Sequence, residues 1–251
     1  MGEIKDISAD PLAMPPPYWR GSSAIFHVLR STRHLADHLQ ALIPLHASTE
    51  QTLARYFSQD PPPPEDDEEF GEICSNLWDL EHEIKLDIDT TLLMAAITAE
   101  DHINRFCVYN LHQDVAEPLE RLPPTEKLEV LSALVGYPGV KGRHVYLALQ
   151  QLTSWRNAFA HGHCVDRPTR SLRRNHLISP EQYPGVPDGI AKCIKMLKGL
   201  LLLSSYLRSI SKNSYTSSSS VEDAELEYLL ERIDKFRFTG TPDVYSVSVA
   251  P

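Results

Sequence analysis

The chain is short of paired cysteines, long apolar runs, glycine and positive charge, and each shortage removes a class of protein. Its four cysteines, Cys74, Cys107, Cys164 and Cys193, are far apart and form no C-x-x-C pair. A disulfide framework is therefore not expected, and a reducing, cytoplasmic setting is. The most apolar stretch, Leu200–Leu203, is bounded by Lys192, Lys195 and Lys198 upstream and by Arg208 downstream. A bilayer span needs about 20 apolar residues in a row, so no membrane helix is expected. Met1–Asp6 and the prolines Pro15, Pro16 and Pro17 include no apolar core of a secretory signal. With 11 glycines, the chain has no Gly-rich phosphate loop ending in Gly-Lys-Ser/Thr and no G-x-S-x-G. Lys and Arg total 24 against 34 Asp and Glu, a net charge of −10. That balance excludes a general nucleic-acid coat, which needs cations spread over its surface.

What the chain does have is helical periodicity. At 251 residues and 42% hydrophobic content, it suits one large domain with appendages or two small ones. Ser22–Leu45 places apolar residues at Ile25, Val28, Leu29, Leu35, Leu39 and Leu42, with Pro44 expected to break the helix before a shorter piece over Thr49–Phe57. Four prolines and five acids over Pro61–Glu69 read as an exposed linker. A long helix over Phe70–Leu111 carries a heptad-like stripe from Leu77 to Phe106, and Pro118, Pro123 and Pro124 punctuate its exit. A short helix opens at Thr125 and ends near Leu134, Gly136–Gly139 form a turn, and a further helix covers Arg143–His161. Helices over Asp188–Ser211 and Val221–Phe236 follow, with a tail from Thr239 that is either irregular or a single strand. Strand signals are too few for a sheet, so the expected class is all-α.

Charge is concentrated in one place. Between Lys141 and His176 the local balance is +6, which leaves −16 for the rest of the chain. An island of this kind suits a confined phosphate site better than a broad basic surface. Within it lies Trp155-Arg156-Asn157-Ala158-Phe159-Ala160-His161-Gly162-His163. Asn157 and His161, four apart, share a helix face, whereas Arg156 and His161 are about 140° apart around an ideal helix. The two converge if the helix end unwinds at Gly162, as glycine permits. Arg can donate two parallel hydrogen bonds to a phosphate, and His titrates near neutrality, as an acid or base must. The competing reading is that both residues cap carbonyls at their own helix end.

Glu100 falls in line with Leu93, Ala96 and Cys107 on the long helix, and Asn104 lies one turn further on. A buried carboxylate needs a partner, and Arg156 is a candidate if the two helices pack. Otherwise Glu100 and Asn104 border the stripe in water. Lys127 follows on the short helix. A metal site built from His161, His163, Cys164 and His176 or Cys193 is not expected, because the paired spacing of structural zinc sites is missing. Asp87 and Asp89 read as solvated; Trp19, Trp78 and Trp155 as core or interface anchors; and Lys192, Lys195 and Lys198 as a solvated row.

Ala99-Glu100-Asp101-His102-Ile103-Asn104, then Glu126-Lys127-Leu128, then Trp155–Gly162 resemble, in order and separation, the HEPN family (higher eukaryotes and prokaryotes nucleotide-binding domains). The resemblance covers about Leu77–Ser211. It implies a four-helix HEPN-like bundle over residues 70–211, an N-terminal helical extension with the acidic Pro-rich linker over 1–69, and a C-terminal helix and tail over 212–251. It further implies a homodimer with a composite cleft and a metal-independent endoribonuclease that needs no cofactor, possessing Arg156, His161, Asn157 and Glu100 as its site. RNA would be held by Arg143, Arg167, Arg170, Arg173 and Arg174. A toxin or defence role, with an antitoxin or other partner protein, is one implied setting. Non-catalytic dimerisation or ligand-binding modules are the alternative within the same family.

Overall fold

The computed structural model describes residues 24–58, 68–160, 186–211, 220–240 and 245–250. These form seven helices: α1 (Ala24–Ser58), α2 (Glu68–Asn110), α3 (Gln113–Glu120), α4 (Pro124–Leu134), α5 (His144–Ala160), α6 (Val186–Ile210) and α7 (Ser220–Ile233). A single 3-10 turn (Val140–Gly142) precedes α5, and two strands, β1 (Phe236–Gly240) and β2 (Tyr245–Val249), close the chain. The all-α class expected from periodicity holds, with one small hairpin added.

Three boundaries differ from the expectation. α1 continues through Pro44, so the two predicted pieces are one helix. A proline inside a helix deprives the carbonyl four residues earlier of its donor. Here that residue is Gln40, which lies with Pro44 on the exposed face, open to solvent. The buried side of the helix continues through Leu39, Leu42, Thr49 and Thr52. Pro118 lies inside α3 and does not merely mark an exit. Finally, α7 ends at Ile233 and Phe236 opens a strand. The hairpin pairs Phe236 with Val249 and Phe238 with Val247, burying Phe236 and Val247 on the helices. Five-residue strands carry too few alternations to stand out in the sequence.

Contacts fix the direction of each long helix. Thr91 Oγ1 donates to Ser31 Oγ at 3.0 Å, and His38 Nδ1 meets Asp87 Oδ2 at 2.7 Å, so α1 and α2 run antiparallel. Cys193 Sγ reaches the Ile88 carbonyl at 3.7 Å near the start of α6, and Ser211 Oγ donates to Asn110 Oδ1 at 3.0 Å just past its end. α6 therefore runs parallel to α2. A Cβ added at Gly199 would lie 3.0 Å from the Cβ of Ala148, and Lys192 Nζ lies 3.5 Å from the centroid of the Trp155 ring, so α5 and α6 run in opposite senses. Four long helices of alternating direction thus share one core, with Ile25, Leu39, Ile84, Ala99, Leu149 and Leu203 all fully buried. α1 belongs to that core as fully as the others.

The path from α2 to α5 is set by turn chemistry. Pro124 takes the first position of α4, where its missing N–H costs nothing. At the other end, Tyr137 N donates to Ser132 O (2.7 Å) and Gly136 N to Ala133 O (3.2 Å), with Gly136 at φ +90°. This is a Schellman motif, which only glycine enters without strain at that position. It ends α4 beside the start of α5.

α7 is held by charge. Arg208 pairs with buried Asp223, which also accepts from Ser204 Oγ at 2.9 Å; Arg33 pairs with Glu225, and Arg232 with Asp37 at 2.8 Å. Next to this cluster, His102 on α2 is 1% exposed, and neither ring nitrogen has a hydrogen-bond partner. Burial holds its imidazole down at about 4, with Asp223 opposing and Arg105 and Arg208 reinforcing the effect.

Two outcomes follow. Gly199→Val forces side-chain carbons into Ala148 and is expected to cost about 2 kcal/mol by urea denaturation, with Ala148→Gly recovering part of the loss. The unfolded chain protonates His102 near 6.5 and the folded chain near 4, so the unfolded state binds more protons between those values. Stability should therefore fall as pH drops from 6.5 to 4. His102→Leu should flatten that limb of a melting-temperature profile; an unchanged slope would refute the assignment.

Candidate functional site

Helix α5 packs its apolar side, Val145, Leu149, Leu152 and Trp155, into the core. The residue after Trp155 is rotated about 100° around the axis, so Arg156 leaves the core edge, is 28% exposed, and points its guanidinium toward α2. There Nη1 pairs with Glu100 Oε2. Nε and Nη2 donate to the Asn157 side-chain oxygen at 3.3 and 3.2 Å. Of five guanidinium N–H groups, three are engaged by the described residues.

The other oxygen of Glu100 faces Lys127, at 3.5 Å, and Lys127 Nζ also donates to Asn104 Oδ1 at 2.9 Å. Lys127 is 1% exposed. An isolated ammonium cannot be buried at tolerable cost, so these two oxygens are what make the burial of Lys127 against α2 tolerable. Glu100 and Asn104 are half-buried and partnered, not simply bordering the stripe in water. Lys127, Glu100, Arg156 and Asn157 make one chain of polar contacts across α4, α2 and α5.

The role of Lys127 is the feature the sequence understated. A signal was present: Lys127 sits in register with Pro124, Leu128 and Leu131, the buried face of α4. A cation on an apolar stripe needs an acidic partner from another element.

Lys192 departs from the solvated row expected for it. Its Nζ lies 3.5 Å from the centroid of the Trp155 ring, a cation–π contact. Burial lowers its ammonium to about 8, partly offset by Asp89. Lys198 does face outward, pairing with Asp234 at 3.2 Å. The Trp155 indole Nε1 is buried with no hydrogen-bond partner. Trp78, by contrast, is 65% exposed and stacks on His82, so it is no core anchor. Asp87 is half-buried on His38, not solvated, and burial raises its carboxyl above the ordinary range.

The structure brings together Glu100, Arg156 and Asn157. His161, Arg167, Arg170, Arg173 and Arg174 lie outside the described residues, as do His163, Cys164 and His176. Arg143 is exposed at the opposite end of α5, about 20 Å from Arg156 along the axis. A ligand touching both would have to be an extended strand. Cys193 is enclosed in the core, and burial pushes its thiol upward; that of Cys107 is pushed up to about 12. Among the described residues no group of three or more His, Cys, Asp or Glu is placed to hold a metal ion. None of the described helices is long and apolar enough to cross a membrane.

The network implies an asymmetry. Glu100→Ala strands Lys127 in the interior and is expected to cost about 3 kcal/mol, whereas Arg156→Ala should cost about 1 kcal/mol or less, because half-buried Glu100 keeps Lys127. Equal losses in urea denaturation would contradict the arrangement. No family model, no curated protein and no solved structure matches this chain.

Proposed function

We propose that this chain is an HEPN-like, metal-independent endoribonuclease built on Arg156 and His161. The observation that carries the reading is the placement of Arg156. A carboxylate from α2 and the neighbouring amide hold its guanidinium at the edge of the core, with two N–H groups unengaged among the described residues. A fixed guanidinium with spare parallel donors is suited to a phosphate and to the extra negative charge that develops as its ester is cleaved.

In this reading the ribose 2′-hydroxyl attacks the adjacent phosphorus. The P–O5′ bond breaks, leaving a 2′,3′-cyclic phosphate and a free 5′-hydroxyl. His161 assists the proton transfer from the 2′-oxygen to the leaving 5′-oxygen. Arg156 stabilises the phosphorane oxygens, Glu100 positions Arg156, and Asn157 orients it. A homodimer would join two such helices into one cleft, with Arg143, Arg167, Arg170, Arg173 and Arg174 contacting the RNA backbone. A toxin or defence role with an antitoxin partner is consistent with such chemistry.

One observation favours a second reading, a non-catalytic dimerisation or ligand-binding module. Three of the five Arg156 donors are already taken by the protein, as a purely structural arginine would show.

The test is incubation of the purified chain with RNA in EDTA. Wild type is expected to cut RNA and spare DNA, leaving cyclic phosphate ends, while Arg156→Ala and His161→Ala should each lower the rate by about 100-fold or more. Equal cleavage by all three proteins, or none by wild type, would leave the module.

A further inference from the structure

The phosphate site proposed above draws on a charge that does not touch it. Glu100 has two oxygens and two cationic partners, Arg156 on Oε2 and Lys127 on Oε1. Counted by formal charge, the cluster is two cations to one carboxylate, an excess of +1. Asn104 and Asn157, its other members, are neutral. The nearest further acid on α2, Asp101, is matched by Arg105 at 2.9 Å.

The excess has only one way to be expressed. Lys127 is 1% exposed and its ammonium is enclosed by Glu100 and Asn104, whereas Arg156 is 28% exposed and Asn157 beside it is exposed. With Lys127 absent, the Glu100–Arg156 pair would be neutral and would offer an anion only hydrogen bonds.

We propose that Lys127 is a positioning residue for anion binding: from within the core it offsets Glu100, so that Arg156 is oriented by the carboxylate without being neutralised by it. The ligand class is a phosphate-bearing anion at the open edge of Arg156. This rests on the reading of Arg156 as a phosphate-binding group, but not on cleavage.

A charge cycle tests it, with inorganic pyrophosphate as the probe and calorimetric titration of the full chain as the readout. Lys127→Met should weaken binding on the order of tenfold, the effect of one charge acting through protein. Glu100→Gln removes the negative charge but keeps an amide oxygen to accept from Arg156, so the double variant, with both charges gone, should recover the binding lost in Lys127→Met. That rescue is what a merely structural lysine would not give, since its loss is not repaired by a second core substitution. If Lys127→Met does not fold alone, the same comparison holds within the Glu100→Gln background. Binding indifferent to Lys127 in both backgrounds overturns the proposal, as does a wild-type chain that binds no pyrophosphate. RNA cleavage in EDTA is scored separately. Cleavage without the charge cycle removes Lys127 from the site and leaves the nuclease; the charge cycle without cleavage removes the nuclease and leaves the anion site.

Discussion

A lysine inside a helical core constrains everything around it. Lys127 can be enclosed only because two oxygens from α2 meet its ammonium, and this single requirement ties the short α4 to the longest helix of the protein. The cost of an unpaired buried charge far exceeds the worth of any one surface pair. The register of α4 on α2 is therefore set to within the reach of one side chain. The turn of Gly136 and the 3-10 turn at Val140–Gly142 then deliver α5 along the same part of α2, and Arg156 arrives at the second oxygen of Glu100. Sharing of one carboxylate by two helices is what joins three separate sequence segments into one polar cluster.

The structure has a second polar centre of the same kind, with a different outcome. Asp223 is buried beneath Arg208 and Ser204 and fastens α7 to α6. There the Asp223 carboxylate meets the Arg208 guanidinium and the Ser204 hydroxyl. His102, enclosed nearby and without hydrogen-bond partners, adds no charge at neutral pH because burial keeps it unprotonated.

Lys192 and Trp155 show how closely that cluster is joined to the packing of α5 on α6. The cation covers the ring that precedes Arg156 in the chain, so the helix is gripped by α6 through Trp155 and by α2 through Arg156. Two successive side chains pointing to different neighbours fix the rotation of α5 about its own axis. A small rotation would move Arg156 off Glu100 and expose the indole together, which makes the site and the core interdependent.

The sequence by itself determined the helical class, the buried stripe of α2, the turn at Gly136 and Gly139, and the pairing of Glu100 with Arg156 as an option. All of these follow from local periodicity, from backbone freedom at glycine, and from the rule that buried carboxylates need partners. It did not determine that α1 passes unbroken through Pro44, because that depends on which carbonyl faces water. Nor did it determine that Asp87 is half-enclosed by His38, or that Lys192 lies on an aromatic ring while Lys198 reaches outward, since identical residues on one helix differ only in what another helix places against them. The decisive case is Lys127: its position on an apolar stripe was legible, but the partners that make a buried ammonium tolerable come from residues more than twenty positions away, and only the packing of α4 on α2 could supply them.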